Sequence, residues 1–443
     1  MTLKNLHSFV TFFCFVFLLA ACGGDSESTA DGNNQEGDKQ EDEKVELRFA
    51  WWGSAERHNI YNEILDNYEE EHPEVKIVRE PSSWDDYWTK LSTQGSGGNL
   101  PDIFGLHLLL YGDEYFNKNV IASLEPYVGK QISLEGWDES VLEAGTYKGD
   151  LLALAKGVTI QSLIANTSKA ENLGLEAPSP EMNYQELKDY ASEAVNVLPE
   201  GEYVLPDPTV TEHAVEMWAR QKGGSFITEN GKELGFSKED LVEFWTYWDE
   251  LRQMGAIPPA QLVSEQSGLP DESSLFAQGK TIFIDRPSNR AKMLSGYVEG
   301  DELEILRWPL MEDGEFSGGE QLQIPAIVMS NDSEHKEEAA ELINYFVNDL
   351  EATEIYAAEN GIPGTEPVRE NLEPSLQPLD EQAIEHMEKV VDDIPVTTSR
   401  PAGSSAVLQA YYRYSESIGY GEISIEDAVD EFFAEAEQAL SQN

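Results

Sequence analysis

The sequence predicts an α/β protein whose folded body divides into two lobes. From residue 45 onward, short segments that alternate apolar and polar residues are separated by segments with the apolar period of a helix. Strand, helix, strand, helix and strand follow one another within about 60 residues, which is typical of a parallel sheet covered by helices. The chain has 443 residues. The roughly 400 that follow an acidic segment near its start exceed what one hydrophobic core usually holds.

The first elements can be placed in order. Residues 45–50 alternate and predict a strand, and Trp51, Trp52, Gly53 and Ser54 then predict a turn in which Ser54 caps the next helix. The elements that follow are a helix ending at 72–73, a strand at 75–78, a helix at 84–93 and a strand at 103–104. Ligands bind beyond the carboxyl ends of such strands, so we expect a site at this turn and after the third strand.

The remainder of the chain continues the α/β pattern. Its expected strands are 151–155, 158–164 and 281–284. Its expected helices are 184–197, 239–252, 337–347 and 425–440.

The first residues predict export and lipid attachment. Residues 9–21 carry no charge and are too short to span a bilayer, which needs roughly 20 apolar residues. Leu-Ala-Ala then precedes Cys22, an order that resembles the lipobox of bacterial lipoproteins. We expect a signal peptide at 1–21, then a lipidated Cys22 and an acidic disordered linker over 22–44. The alternative is an ordinary signal with an incidental cysteine.

Lipidation would hold the chain on the outer face of the cell membrane, in an envelope of the Gram-positive type. The other cysteine, Cys14, lies in the segment expected to be removed. We therefore expect no disulfide, no cysteine-ligated metal and no cysteine nucleophile in the mature chain.

The charge of the chain excludes several classes of partner. It has 84 acidic and 29 basic residues, for a formal net charge of −55. Nucleic acid binding needs clustered lysine and arginine, and electrostatic docking on anionic lipid needs the same. We interpret the acidity as a solvated surface suited to a saline or alkaline exterior.

Catalytic and cofactor motifs are not found in the sequence. The seven histidines have no zinc-protease spacing, and there is no nucleophile elbow or phosphate-binding glycine loop. A pair of carboxylates for glycoside hydrolysis can always be named among so many, so it carries no weight. We expect a binding protein without cofactor or catalytic residues. The alternative is a lipid-anchored surface protein that degrades or adheres to polysaccharide.

An ordered set of short motifs resembles one family. They are Trp51-Trp52-Gly53, Glu-Glu-Glu-His-Pro-Glu-Val-Lys-Ile, Trp84-Asp85-Asp86-Tyr87-Trp88, Gly98-Asn-Leu-Pro-Asp102-Ile103, Val120-Ile-Ala-Ser-Leu-Glu-Pro126, Gly318-Gly319 and Asn360-Gly-Ile-Pro363. Together with the lipobox they are similar to the extracellular solute-binding proteins (family 1, sugar type) of ATP-driven importers, a group that includes maltodextrin-binding proteins.

The resemblance implies a periplasmic-binding-protein-like fold, with parallel or mixed sheets in two lobes around a ligand cleft that closes by a hinge. It assigns 45–125 plus 310–352 to lobe 1, and 126–309 plus 353–443 to lobe 2. It further implies a monomer that binds a sugar or oligosaccharide and docks on a membrane permease served by a cytoplasmic ATPase. Two loops depart from the family pattern, the apolar 106–110 and Ala-Lys-Gly at 155–157.

Sugar recognition needs aromatic faces for C–H patches and planar polar groups for hydroxyl pairs. The candidates for ligand binding are Trp51, Trp52, Arg57, Trp84, His107, Lys156, Asp285, Arg286, Trp308 and Arg400. Because Trp51 and Trp52 are adjacent, we expect one to stack on the sugar and the other to pack, with Trp52 the better candidate for stacking.

Each candidate has a structural alternative. Both adjacent tryptophans could be core, Arg57 could pair with a neighbouring glutamate, and Asp285 could pair with Arg286. Trp84 could cap its helix, and Trp308 could belong to the hinge. Trp245 and Trp248 have helical spacing and are expected in the core. An acidic oligosaccharide, a polyol or a glycerol phosphodiester remains an alternative ligand, with Arg57, Lys156, Arg286 and Arg400 as its cationic groups.

Overall fold

The structure, a computed structural model, describes residues 44–228, 230–312, 314, 318–390 and 404–441. The expected signal peptide, Cys22, the linker and Arg400 lie outside the described residues. Within these ranges, no helix combines the length and apolar character needed to cross a membrane.

The strands are short and fall mainly into two sheets. Their bounds are β1 Val45–Trp52, β2 Val75–Ser82, β3 Ile103–His107, β4 Thr146–Tyr147, β5 Asp150–Leu151, β6 Ala153–Ala155, β7 Thr159–Asn166, β8 Ser225–Ile227, β9 Leu234–Gly235, β10 Phe283–Pro287, β11 Leu303–Leu306, β12 Leu322–Gln323 and β13 Pro325–Met329.

Helices cover the sheets. Their bounds are α1 Ala55–Glu71, α2 Trp84–Ser96, α3 Leu108–Asn117, α4 Glu139–Ala144, α5 Thr167–Asn172, α6 Tyr184–Ala194, α7 Glu212–Gln221, α8 Lys238–Gln253, α9 Ala260–Gln266, α10 Ala291–Ser295, α11 Lys336–Asn348, α12 Leu350–Tyr356, α13 Glu366–Leu372, α14 Pro378–Val390, α15 Ser404–Gly419 and α16 Ile425–Leu440.

The first sheet has the order β2-β1-β3-β13-β6 and forms lobe 1 with its helices. Strand β1 runs parallel to β2 and β3, whereas β13 is antiparallel to both β3 and β6. Alternate side chains of β1 enter two different cores, with Leu47, Phe49 and Trp51 on one face and Ala50 and Trp52 on the other. The sheet is therefore mixed and buried on both faces.

The second sheet has the order β10-β7-β11, with β12 also paired to β7, and it forms lobe 2. These pairings are antiparallel. Leu163 and Ala165 of β7 face a large core that includes side chains of α6, α7, α8, α15 and α16. Ile164 faces the opposite way, towards a smaller core that includes Ala383 of α14.

Two chain segments pass between the sheets next to each other. One joins β6 to β7 through Lys156, Gly157 and Val158, and the other joins β12 to β13 through Ile324. The Lys156 amide donates to the Pro325 carbonyl at 2.8 Å, which ties the two segments together.

A third segment packs against this crossing. Val158 and Ile362 form a β-bridge. A Cβ on Gly157 would lie 2.5 Å from the Asn360 carbonyl oxygen, and a Cβ on Gly361, whose φ is +104°, would lie 2.4 Å from that of Val158. Glycine at both positions is therefore what allows the backbones to approach so closely.

The expected order of strands and helices from β1 to β3 is confirmed. Where the observed bounds differ from the expected ones, strand pairing gives the cause. Strand β1 includes Trp51 and Trp52, which were expected in a turn, because they pair with Pro81 and Ser82 of β2. The expected strand 151–155 is divided, because β5 pairs with β4 while β6 joins β13.

Strand β10 begins two residues later than the strand expected at 281–284 and extends to Pro287, because its register with β7 carries it there. The chain also stays in lobe 1 beyond residue 125, where the sequence placed the boundary between the lobes. Strand β6 belongs to the first sheet, and Ile132, Leu151 and Leu154 join its core. The chain first leaves lobe 1 for lobe 2 at Lys156–Val158.

Candidate functional site at the junction of the lobes

An aromatic cluster lies at the carboxyl end of β1 and the start of α2 and α3. We define it as Trp52, Trp84, Tyr87, Trp88 and Tyr111. The Trp52 ring centroid lies 5.4 Å from that of Trp84, 5.3 Å from that of Tyr87 and 5.3 Å from that of Trp88. The Trp88 and Tyr111 rings stack at 3.7 Å. Trp84 is 38 % exposed, whereas Trp88 and Tyr111 are partly buried and Trp52 and Tyr87 are buried, so the Trp84 indole is the most accessible of the group.

Helix capping explains why Trp84 stands at the edge. Ser83 is the N-cap of α2, and its side chain accepts a hydrogen bond from the Asp86 amide. Trp84 is then the first helical residue, where a side chain projects beyond the helix body. The Trp88 ring, one turn later, contacts it edge to face at 5.3 Å.

The adjacent tryptophans of β1 point to opposite faces, as expected. Trp51 is fully buried, and its indole N–H donates to His58 Nδ1 at 3.2 Å. Trp52 lies on the other face and is 5 % exposed, with Trp84 against it. Both tryptophans are thus core residues, which was the structural alternative for this pair, and the open face needed for the expected stacking of Trp52 on a sugar is not present. Trp52 instead supports the accessible indole of Trp84 from behind.

Lys156 is a buried cation at the crossing between the lobes. Its ammonium group donates to the Tyr61 hydroxyl at 3.0 Å and lies 4.7 Å from the Trp52 ring centroid. The Tyr61 hydroxyl in turn donates to Asn360 Oδ1 at 2.8 Å. Burial, reinforced by the nearby Arg57 charge, lowers the pKa of Lys156 to about 7.

Arg57 connects lobe 1 to the segment that precedes Asn360. Its Nε and Nη2 atoms donate to Glu359 Oε2 at 2.9 and 2.6 Å, across 302 residues of sequence. Burial alone would lower the pKa of Arg57, but Glu359, Tyr61 and Asp271 together outweigh it and raise that pKa. The structural alternative for Arg57 was an ion pair with a neighbouring glutamate. Arg57 does form an ion pair with a glutamate, but that residue, Glu359, is distant in the sequence.

The pairing continues into lobe 2. Arg290 Nη1 donates to Glu359 Oε1 at 3.3 Å, and its Nη2 lies 3.8 Å from Asp271 Oδ2. Arg286 Nε donates to Asp271 Oδ1 at 2.8 Å. Burial favours the neutral acid at Asp271, yet Arg286 and Arg290 hold its pKa below the ordinary value. We call Arg57, Glu359, Arg290, Asp271, Arg286 and Asp285 the ion-pair chain.

Asp285 is the last member of this chain. Its carboxylate lies 3.8 Å from Arg286 Nη1, and the same guanidinium donates to its backbone carbonyl at 2.8 Å. Burial raises the pKa of Asp285, and the Arg286 charge offsets this only partly. The mutual salt bridge considered for these two residues is therefore loose, since Arg286 directs its Nε to Asp271 instead.

Uncharged polar groups lie beside the ion-pair chain. Thr159 Oγ1 lies 3.0 Å from Ser288 Oγ and donates to Asn289 Oδ1 at 3.1 Å. Asn289 also donates its amide to the Glu359 carbonyl oxygen. These groups bring hydroxyl and amide hydrogen bonding close to the charged groups of both lobes.

The structure separates the expected ligand-binding residues into three groups. Trp52, Arg57, Trp84, Lys156, Asp285 and Arg286 lie along one continuous set of contacts, and His107 joins it with its ring 5.9 Å from that of Trp84. Trp51 and Trp308 are core residues. Trp308 is 1 % exposed within lobe 2 and donates to the Tyr184 hydroxyl at 3.1 Å, so it packs away from this junction. Arg400 lies outside the described residues.

Sequence reasoning missed Glu359, Arg290 and Asp271. Glu359 directly precedes the Asn360-Gly-Ile-Pro363 motif that carried part of the family resemblance. That motif was the available signal, because a glycine permits the close backbone approach that Gly361 makes to Val158. In the part of the chain that the structure describes, no three histidine, cysteine or carboxylate side chains group as a metal site would require.

Comparisons with known proteins agree with this architecture. The family model for bacterial extracellular solute-binding proteins matches residues 63–378. Among solved structures, a periplasmic oligogalacturonide-binding protein from Yersinia enterocolitica, in complex with saturated digalacturonic acid, gives a TM-score of 0.80. Its sequence is 21 % identical, and the alignment covers 90 % of this chain and 99 % of the other.

Two further structures have similar scores. An ABC substrate-binding protein from Listeria monocytogenes, in complex with cycloalternan, gives a TM-score of 0.76 at 21 % identity, over 90 % of this chain and 99 % of its own. An ABC transporter solute-binding protein from Thermotoga lettingae, bound with α-D-tagatose, gives a TM-score of 0.74 at 16 % identity. That alignment covers 90 % of this chain and 100 % of the other. At these identities the likeness shows the fold, which is the two-lobed fold of periplasmic binding proteins, as expected from the sequence.

Proposed function

This chain belongs to the bacterial extracellular solute-binding proteins, and from that premise we propose that it binds a sugar or oligosaccharide between its lobes and delivers it to the permease of an ABC importer. The family is extracellular, so the chain acts outside the cytoplasm. The proteins of known structure described above were solved with an oligogalacturonide, a cyclic oligosaccharide and a ketose. That common carbohydrate chemistry supports a sugar as the ligand here.

The accessible indole of Trp84 is the observation that carries the proposal. A sugar ring presents C–H patches that pack on an aromatic face, and such a face must be both reachable and rigid. Trp84 is the exposed member of a cluster in which Trp52 and Trp88 fix its orientation from two sides. Trp84 contacts Trp52, whose ring lies against Lys156 of the crossing segment, and this supports a bound ring within reach of lobe 2.

The other candidates take supporting roles in this proposal. Arg57, Asp285 and Arg286 present guanidinium and carboxylate groups that can bond pairs of adjacent hydroxyls. His107 lies against Trp84 and would contact the same sugar unit. Lys156 is 1 % exposed, so it acts from behind Trp52 by fixing the ring and the crossing segment.

Closure follows from the position of the ligand. A sugar that contacts Trp84 of lobe 1 and Arg286 of lobe 2 at once gains its full binding energy only when the lobes are close together. The closed state is then favoured by that differential affinity, and the crossing segments at Lys156–Val158 and Ile324 are where the backbone would bend. The closed form would dock on the permease, while a cytoplasmic ATPase supplies the energy.

We also propose that binding involves no chemical change, no cofactor and no nucleic acid. The chain acts as a monomer, attached to the cell membrane through lipid on Cys22. The net charge of −55 makes electrostatic attachment to anionic lipid unfavourable, which leaves the acyl chains as the anchor.

A sugar panel tests the proposal. Thermal unfolding of the chain is measured with neutral mono- and oligosaccharides, including maltodextrins, cycloalternan and tagatose, and with uronic acids, followed by chromatography of each sugar. We expect saturable stabilisation by at least one sugar, which is recovered unchanged. Failure of every sugar to stabilise the protein, or appearance of a hydrolysis product, would contradict the proposal. For the anchor, the Cys22→Ala chain should leave the membrane fraction in cells that retain the parent chain.

A further inference from the structure

The ion-pair chain contains as many positive as negative groups. Arg57, Arg286 and Arg290 supply three guanidinium groups, while Asp271, Asp285 and Glu359 supply three carboxylates. Each guanidinium lies within 3.8 Å of at least one carboxylate oxygen. An acidic ligand would therefore find its cationic partners at this junction already engaged.

Glu359 is the member that pairs with arginines from both lobes. Its Oε2 accepts from Arg57 of α1, and its Oε1 accepts from Arg290 of the turn that follows β10. Its side chain is 17 % exposed, between 6 % for Arg57 and 21 % for Arg290. Both carboxylate oxygens are thus occupied at a place where a ligand could reach the same arginines.

Lys156, a further cation near this junction, adds little positive charge. Lys156 is buried, donates to the Tyr61 hydroxyl, and lies between the Trp52 and Tyr61 rings. The charged groups that act on it are Arg57 from α1 and Glu359 from the third segment. A pKa of about 7 leaves it only partly charged near neutral pH.

We propose that Glu359 is a specificity-determining residue that makes this junction select uncharged sugars over acidic ones. The inference rests on the proposed function and goes beyond it by naming the ligand class. A uronic acid entering the site must either displace Glu359 from two arginines or bring its carboxylate next to Glu359, beside guanidinium groups that, among the described residues, are already paired. Like charges brought together at a partly buried site cost more than they do in water.

A change of charge at position 359 would let the same fold bind an acidic sugar. The solved relative that holds digalacturonic acid has the same two-lobed fold as this chain. Changing the charge balance at one point of the junction is enough, in physical terms, to convert a neutral site into a cationic one. That conversion is what the experiment attempts.

The test uses matched pairs in which a neutral sugar and its uronic acid differ only at C6. Galactose is paired with galacturonic acid, glucose with glucuronic acid, and galactobiose with digalacturonic acid. Affinities are measured by calorimetry for the parent chain and for Glu359→Gln, in which Arg57 and Arg290 lose their shared carboxylate. We expect the parent to prefer the neutral member, and the preference to shift towards the acid by at least about tenfold in the variant.

Two controls separate this effect from general ones. Glu354→Gln makes the same change in net charge at an exposed position of α12 and should leave the preference unchanged. In the double variant Glu359→Gln/Arg290→Gln the charges balance again, and the gain for acidic sugars should be lost. A purely structural role of Glu359 would weaken both members of a pair equally and would not reverse in the double variant.

The outcomes distinguish the two proposals. Binding of no sugar by the parent chain contradicts the proposed function itself. Equal or tighter binding of the acid by the parent, or an unchanged preference in Glu359→Gln, contradicts the specificity inference alone. If circular dichroism shows that Glu359→Gln does not fold, Asp271→Asn removes a different carboxylate of the ion-pair chain, and failure of that variant to favour the acid overturns the inference.

Discussion

The tryptophans of the two lobes contact different kinds of neighbours. In lobe 2, Trp218, Trp245, Trp248 and Trp308 are all at least nine-tenths buried, and they pack against aliphatic and aromatic side chains of one core. In lobe 1, Trp52 packs between an exposed indole and the ammonium group of Lys156. The same residue type thus packs in closed cores in both lobes, Trp51 of lobe 1 included, and also forms an accessible aromatic surface in lobe 1.

Position within the helices accounts for the difference. Trp245 and Trp248 are three residues apart in the middle of α8, so one helix face directs both into the core, as expected from their spacing. Trp84 is the first residue of α2, where no preceding turn covers its ring. A tryptophan exposed at the start of a helix is therefore available to a ligand, whereas helical spacing indicates packing.

The contrast predicts that the largest loss of stability comes from lobe 2. Trp248→Ala removes a fully buried indole and leaves a cavity beside Trp308, whose ring centroid lies 6.1 Å away. We expect the free energy of unfolding to fall by about 3–5 kcal/mol. Urea unfolding measures it, with Trp248→Phe as the control that should lose less. A loss below that of Trp84→Ala would contradict the assignment of these tryptophans to core and surface.

A second prediction makes lobe 1 resemble lobe 2 by giving Trp52 an apolar neighbour. Lys156 in the folded chain loses its proton near pH 7, whereas in the unfolded chain it does so near its ordinary 10.5. Between these values the unfolded state binds more protons, so the stability of the parent chain rises with pH as this group titrates. Lys156→Met should therefore stabilise most at or below pH 7, by up to about 4 kcal/mol.

The effect of Lys156→Met on stability should depend on pH. The stabilisation by Lys156→Met should shrink steadily from pH 7 to pH 10, as measured by urea unfolding at each pH. Lys118→Met, at an exposed site of lobe 1, should show no such trend. A stabilisation that is constant over this range would mean that the Lys156 ammonium group carries no burial penalty.

Local patterns predicted the fold because the signals that define it are local. The strand and helix order from β1 to β3 depends on apolar spacing within ten to twenty residues, and a sequence displays that directly. The boundary between the lobes did not follow from such patterns. Strand β6 has only three residues, and it belongs to lobe 1 through pairing with β13, some 170 residues later in the chain.

The candidate site was predictable where residue type alone restricts the choice. Tryptophan is scarce, so Trp52 and Trp84 could be selected as candidates. Carboxylates are not scarce, and among 84 acidic residues nothing local identifies Glu359 as the partner of Arg57, 302 residues away. For Trp308 a local signal was misleading. Its place beside Pro309 suggested a hinge or a binding role, whereas long-range packing puts it in a core.

The smallest expected effect on stability should accompany a clear effect on binding. Trp84→Ala removes an exposed indole, so the free energy of unfolding should change by less than about 1 kcal/mol. A sugar found by the panel should bind about ten- to thirtyfold more weakly, because the aromatic face for its C–H patch is gone. Calorimetry measures the affinity. Tyr420→Ala is the matched control, since Tyr420 is an aromatic residue of lobe 2 that is 46 % exposed. Equal affinities for the two variants would remove Trp84 from the site and, with it, the contrast between an accessible and a closed set of tryptophans.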